Sequence, residues 1–448
     1  SLQHDYLYHR ALDASYKENC GEATGFLYST PNLRVTAAFA ERNVGPATSM
    51  RGPGAVPGLY ALESAMDELA IELKMDPVAL RLKNEPSIDE SENGPFSSRH
   101  LTECLTTGAG KFGWSKRDPE IGSMRRDGKV LGWGVGACSW IAERFPAQAS
   151  VMFNADGSVR VASGTQDIGT GTYTVLGQMV AQLTGIELSK IKVVIGDTSL
   201  PPGPISGGSM ATASLVPAVA QAARDAIAKL IAAASDGDAH FGHAGVDQLA
   251  FANGRVHRKN ESPDAGRRFE QVLAAARLGH VEGNGKSEGT FGKKGKKDHS
   301  SHSFGAHFAE VTWQPEIARL RVSRVLTVID AGRIINPLTG RNQIEGAVVM
   351  GVGMALFEET RYDPRNGMAI NSNLADYIMA THADAPDIDV VFLDYPDLKL
   401  NEMGARGIGE IGLAGIAAAI TAAVHHATGV RVRDLPVRVE DLLASKVA

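Results

Sequence analysis

Cysteine is scarce in this chain of 448 residues: Cys20, Cys104 and Cys138 lie far apart, and no Cys-x-x-Cys pair exists. That argues against a zinc ribbon or an iron–sulfur cluster held by this chain alone, and the odd count argues against a disulfide framework. The three read as ordinary buried thiols. Long apolar runs are missing too. The longest, residues 413–424 and 347–357, fall short of the roughly 18 that a membrane-spanning helix requires and read as buried helices. Basic charge is not in excess: a net charge of −6 and a pI near 6.1 argue against a general nucleic-acid or membrane-surface role. No signal peptide and no initiating Met opens the sequence, so Ser1-Leu2-Gln3 reads as the start of a processed or divided polypeptide, and the compartment stays open.

An apolar share of 43 % is enough for two or three cored domains. Residues 58–83 place Leu59, Leu62, Met66, Leu69, Leu73 and Leu80 at helical spacing, with a break at Pro77 after Met75-Asp76. Residues 85–98 are polar, with Pro and Gly, and read as a surface connection dividing the chain into residues 1–98 and 99–448. Beyond it come a strand at 159–162, a helix at 174–183, a strand at 191–195 and a helix at 216–234. Strands at 307–312 and 319–328 follow, joined by Gln314-Pro315-Glu316, then a helix over 344–356 and an Ala-rich helix over 412–428 closed by Gly429. Such alternation indicates a layered α/β or α+β architecture. Residues 234–245 and 284–303 read as mobile. The second is a solvated surface insertion, because no aromatics interleave Lys-Lys-Gly-Lys-Lys at 293–297.

Four glycine-rich turns stand out, each expected beside a helix start: Met50-Arg51-Gly52-Pro53-Gly54, then residues 164–172, 204–212 and 404–412. Glycine there lets backbone N–H groups approach an anion, and a following helix N-terminus adds its positive dipole end. None is a dinucleotide fingerprint or a Walker loop. Taken singly, each is explained by tight strand–helix connection; four together suggest a large phosphate-bearing ligand threaded between loops. A fifth segment, residues 330–339, offers Asn336 as N-cap, Pro337 at the first helical position and Arg333 as a further anion contact, ahead of Gln343. Glu410 is the one carboxylate in the last turn. Burial among Ile408, Ile411 and Leu413 would raise its pKa and the helix dipole would lower it, a competition that suits a general base as well as a helix cap.

Taken in order, these segments resemble the molybdenum-binding subunit of the xanthine dehydrogenase/aldehyde oxidase family. Arg51-Gly-Pro-Gly, through Met66-Asp67-Glu68-Leu69-Ala70 and Met75-Asp76-Pro77 to Asn84, resembles the linker between the family's two molybdenum domains. Residues 166–174, 206–212 and 330–346 resemble its cofactor loops, and Gly407-Ile408-Gly409-Glu410 resembles the motif carrying its catalytic glutamate. The wording Gln-Asp-Ile-Gly-Thr-Gly-Thr-Tyr-Thr with Ser-Gly-Gly-Ser-Met is most similar to bacterial periplasmic aldehyde oxidases. The resemblance implies an α+β fold of layered mixed sheets with flanking helices. It implies molybdenum held by molybdopterin cytosine dinucleotide, with the metal on the pterin dithiolene and no protein ligand to it. Arg51, Gln166, Ile168, Gly169, Thr170, Gly208, Ser209, Ala211, Thr212, Arg333, Ile334, Asn336, Pro337, Thr339, Gln343, Arg406, Gly407, Ile408 and Gly409 are the implied cofactor contacts.

The implied reaction is oxidation of a small aldehyde to a carboxylic acid, in the bacterial periplasm or cytoplasm. Glu410 is the implied base, taking a proton from a molybdenum-bound hydroxide that attacks the aldehyde carbon while hydride passes to a sulfido ligand. Electrons would leave to a small subunit with [2Fe–2S] clusters and a medium subunit with FAD. Gly52 stands where carbon monoxide dehydrogenases have a copper-binding cysteine. Asn19 and Pro53 stand where purine-oxidising members have an arginine and a phenylalanine, which argues against xanthine. Hydroxylation of an N-heterocycle needs the same base and is the alternative. The amino-terminal part of the molybdenum subunit lies outside the resemblance, so a further polypeptide segment is an implied partner, and an inactive domain lacking cofactor is the non-enzymatic reading.

Overall fold

Alternating burial along Leu2–Ala11 marks strand β1, which pairs in parallel with β2 (Leu33–Arg42), Leu2 opposite Leu33. The structure is a computed structural model and describes residues 1–12, 16–242, 244–290 and 298–443. After the Arg51–Gly54 turn, α1 (Ala55–Glu72) buries Leu59, Leu62 and Met66. The break expected at Pro77 is present, and Asp76 accounts for it: its carboxylate accepts the N–H groups of Val78 and Ala79 at 2.9 Å and caps α2 (Pro77–Lys83). A buried cluster ties both helices to the sheet behind them. Glu63 accepts from Arg81 at 2.8 Å, from the Tyr28 hydroxyl at 2.6 Å and from the Ala137 N–H at 2.7 Å.

α3 (Leu101–Phe112) leads into two sheets whose strands interleave along the chain. β3 (Arg125–Arg126), β4 (Lys129–Ile141), β5 (Ala147–Asn154) and β6 (Val159–Ala162) come first, then α4 (Thr172–Thr184), β7 (Ile191–Val194) and α5 (Ala211–Gly237). β8 (Leu249–Ala252), β9 (Arg255–Arg258), β10 (Arg267–Arg268) and α6 (Phe269–Ala275) form a small excursion before β11 (His280–Ser287). The hairpin β12 (His302–Gln314) and β13 (Arg319–Asp330) precedes α7 (Pro337–Leu356), β14 (Asp387–Phe392), α8 (Ile416–Thr428) and α9 (Val439–Leu442). Among the described residues one sheet runs β14-β13-β12-β4-β3 and a second β11-β5-β6-β7. Both are mixed, since β14 joins β13 and β7 joins β6 in parallel while the remaining pairs are antiparallel. The fold is α+β, as expected.

Each large sheet carries one Ala-rich helix at very short range. Gly132 and Gly134 of β4 lie under α8, where a Cβ would sit 1.9 and 2.1 Å from the carbonyl oxygens of Ala423 and Ala419. Gly283 and Gly285 of β11 admit α5 in the same way, against the carbonyl oxygens of Ala222 and Ala218. Close packing of this kind explains why both helices are built of small residues.

Several expectations need correction. Residues 85–98 are not merely a surface connection: Asp89, Phe96 and Ser97 are buried, and Ser97 donates to Asp397 at 2.6 Å. Residues 234–245, expected to be mobile, continue α5 to Gly237 and then anchor through buried Phe241 and Ala244. Within 284–303, β11 runs to Ser287 and β12 begins at His302, while Lys-Lys-Gly-Lys-Lys at 293–297 lies outside the described residues. The Ala-rich helix α8 starts at Ile416, not Gly412, with Gly415 as N-cap at φ 82°.

Candidate active site

Three helix N-termini converge on one cleft of about 650 Å³. α5 contributes Met210, Ala211 and Thr212, and no side chain caps it, so the N–H groups of its first turn are left for another acceptor. α7 begins as expected: Asn336 is the N-cap, accepting from the Thr339 N–H at 3.3 Å, and Pro337 takes the first position. α4 brings Thr172 and Val175. The loop before it is fixed by Asp167, which accepts from the N–H groups of Gly169 at 2.9 Å, Gly171 at 3.2 Å and Tyr173 at 3.3 Å. Burial alone would raise the Asp167 carboxyl, but these donors hold it below the ordinary carboxylate range. The ends of three helix dipoles and the guanidinium of Arg333 make the cleft a site for anions.

Opposite them the chain turns through Gly407–Glu410. Glu410 is the one carboxylate among the described residues lining the cleft. Its Oε2 accepts from the Ser209 hydroxyl at 3.1 Å, and its Oε1 accepts a long contact from the Gly52 N–H at 3.5 Å. Arg51 lies beside it but spends its donors on backbone, Nε to Gly409 O at 2.7 Å and Nη2 to Gln343 O at 2.9 Å. Burial pushes the Glu410 carboxyl above the ordinary carboxylate range, against the Ser209 hydroxyl, the Gly52 N–H and the charge of Arg51, which all favour the ionised form. Burial likewise lowers Arg51, against the pull of Glu410. α8 starts six residues later, so Glu410 does not lie in the first turn of the helix that follows it, and burial outweighs the groups that favour its charge. The group is a carboxylate with raised proton affinity, next to an anion cradle, and suits proton abstraction.

Most residues singled out from the sequence meet here. Arg51, Ile168, Thr170, Gly208, Ser209, Ala211 and Thr212 line the cleft from one side. Arg333, Ile334, Asn336, Thr339, Gln343, Gly407, Ile408, Gly409 and Glu410 line it from the other. Gln166, Gly169 and Pro337 do not line it. Gln166 instead clasps the neighbouring turn, its Oε1 accepting from the Ser206 N–H at 3.1 Å. Arg406 lines the cleft as well. Its guanidinium is buried, pairs with Asp330, and donates to the Ser98 carbonyl at 3.2 Å. Ser49, Thr172, Val175, Ser206, Gly207, Met210, Ile335, Gly340 and Ala405 line the cleft too and were not among the implied contacts. Met210 sat within a quoted motif, whereas Ser49 carries no signal beyond lying next to Met50-Arg51.

Two family models, both described as molybdopterin cofactor-binding domain, match the chain, one over residues 5–85 and the other over residues 107–386. The chain is 36 % identical over 433 residues to the aldehyde oxidoreductase molybdenum-binding subunit PaoC of Escherichia coli (strain K12), covering 96 % of this chain and 57 % of that subunit. It is 32 % identical to the putative xanthine dehydrogenase molybdenum-binding subunit XdhA of the same organism, covering 93 % of this chain and 56 % of that one. The chain thus spans little more than half the length of these relatives. Among solved structures it superposes on quinoline 2-oxidoreductase from Pseudomonas putida 86 with a TM-score of 0.83 at 22 % identity, over 99 % of this chain and 59 % of the other, a likeness of fold.

Proposed function

Because this chain belongs to the molybdopterin-cofactor-binding, xanthine dehydrogenase/aldehyde oxidase family, we propose that its cleft holds molybdenum as molybdopterin cytosine dinucleotide and oxidises aldehydes to carboxylic acids, with Glu410 as base. The observation that carries the reading is Glu410 itself, the one carboxylate in a cleft otherwise built for anions, with its proton affinity raised by burial. The cradle fits a phosphate-bearing group: a Cβ at Gly207 would meet nothing within 4 Å, so the backbone there is open to a ligand, and the uncapped start of α5 adjoins it. When bound, the cofactor supplies two-electron oxidation. The chain's own residues do the rest. Ala211 and Thr212 offer N–H groups to one anionic end, and Arg333 with the α7 start offers a second contact. Glu410 accepts the proton, and Arg51 keeps that turn in place through Gly409 O and Gln343 O.

The aldehyde is favoured over a purine because Asn19, which packs against Gly54, stands where the purine-oxidising pattern has an arginine and supplies no cation. Electrons pass on to [2Fe–2S] and FAD partner subunits, in keeping with relatives named as subunits. The amino-terminal part of the molybdenum subunit is a further partner. Its support is the β1–β2 pair, two parallel strands standing apart with Leu7 70 % and Phe39 49 % exposed, whereas parallel strands are ordinarily covered on both faces. The chain is read as two cofactor-binding parts meeting at residue 98, Arg51 coming from the first and Glu410 from the second.

The test is Glu410→Gln in the reconstituted complex, with molybdenum content measured on the same samples and benzaldehyde oxidation followed with an artificial acceptor. Equal metal loading and a loss of at least about 100-fold in turnover are expected. Full turnover in the variant removes the base assignment, and a complex without molybdenum removes the cofactor.

A further inference from the structure

Ser209 has a backbone that its side chain does not explain. It follows Gly208 in the left-handed region, φ 57° after 67°, a conformation that glycine, asparagine and aspartate adopt readily and serine does not. Two consecutive left-handed residues drive the chain inward against the 407–409 turn. A Cβ at Gly407 would lie 1.8 Å from the Ser209 carbonyl oxygen, and one at Gly409 would lie 3.1 Å from the Ser209 Oγ. Glycine at both positions is therefore the room that Ser209 occupies.

The approach is locked from both sides. The Trp140 indole N–H donates to Gly208 O at 2.9 Å, and the Ser303 hydroxyl donates to Gly407 O at 2.9 Å. The outcome of this strained, glycine-lined contact is a single polar interaction, the Ser209 hydroxyl on Glu410 Oε2 at 3.1 Å. Oε1 is left with only the 3.5 Å contact to Gly52 N–H. Backbone strain retained at such a point marks a functional constraint.

We infer that Ser209 is the positioning residue of the glutamate base: its hydroxyl, donated to Oε2, orients the carboxylate in the cleft and leaves Oε1 as the oxygen that takes the proton. The inference rests on the reading of Glu410 as base. Ser209 also tunes that base, because a hydroxyl donated to the carboxylate favours the ionised form and opposes the effect of burial. Deleting the hydroxyl therefore raises the proton affinity of Glu410 further and shifts the acid limb of activity to higher pH.

Two variants separate the hydroxyl from the backbone. Ser209→Ala deletes it and keeps the strain; Ser209→Gly deletes it and releases the strain. In the reconstituted enzyme both move the acid limb of kcat/KM for benzaldehyde upward by about one pH unit. In the chain without cofactor, thermal melting supplies a second readout. The pH at which Glu410→Gln stops gaining in Tm over its parent rises by the same amount in the Ser209→Gly background. An acid limb and a melting profile that stay in place in both variants, with Glu410→Gln still inactive, overturn the role of Ser209 and leave Glu410 as base. Parental turnover in Glu410→Gln overturns the base assignment and the positioning role with it.

Discussion

Glu410, the proposed base, carries a buried charge at the expense of the fold. Its folded-state pKa lies above the ordinary value because burial disfavours the charge. Such a carboxyl contributes stability below its unfolded pKa, and that contribution is lost as pH rises through the folded one. Glu410→Gln, which cannot ionise, is therefore expected to melt at or above the parental Tm at pH 7, with the difference vanishing near pH 4. Differential scanning calorimetry of the chain at both pH values checks this, and a destabilised variant at pH 7 contradicts it. The glutamate was legible in the sequence as the carboxylate of a glycine turn, but its partners were not. Ser209 and Arg51 reach it from 201 and 359 positions away, and no local pattern encodes such contacts. The Arg406 side chain illustrates the converse. An arginine in a glycine-rich turn looks like an anion contact until burial shows its charge answered by Asp330 inside the protein.

Among the elements, the helix ends decide the site. Asn336-Pro337 announced the start of α7 in the sequence, because cap and first-turn chemistry is local. The start of α8 was not legible, since Gly412, Leu413 and Ala414 suit a helix and only the left-handed Gly415 fixes where it begins. Periodicity found α1, α4 and the β12–β13 hairpin but not the glycine-lined strand–helix contacts of β4 and β11, which exist only across the layers. Arg406 joins the ends of β12 and β13 to the 397–406 loop, since its guanidinium also donates to His302 O and lies 3.9 Å from Asp397. Arg406→Met leaves the fully buried carboxylate of Asp330 unpaired and is expected to cost about 3–5 kcal/mol in unfolding free energy. Urea denaturation measures it. Unchanged stability in the variant contradicts this role for the guanidinium.

Over the whole molecule, neutral histidines set the acid limit of stability. His307 donates Nε2–H to Ala414 O at 3.0 Å and accepts the Thr327 hydroxyl on Nδ1 at 2.8 Å, joining β12, β13 and the turn before α8. Burial pushes it down to about 4, and His425 and His426 are pushed down to about 4 by burial as well. A folded pKa below the unfolded value near 6.5 gives stability that is present above that value and lost as pH falls toward 4. For His307 this is worth roughly 3 kcal/mol at the lower end. Denaturant midpoints should therefore fall between pH 7 and pH 5, less steeply in His307→Asn, and a flat profile excludes the effect. The order of the motifs made the layered fold legible before any contact was known, whereas the way one cleft draws on residues from 51 to 410 is a property of the folded chain alone. The β1–β2 pair has one more consequence. Among the described residues no third strand joins it, and an open strand edge is a ready template for an extended segment or a second copy of the chain. Left open, that edge is where aggregation of the isolated chain would begin.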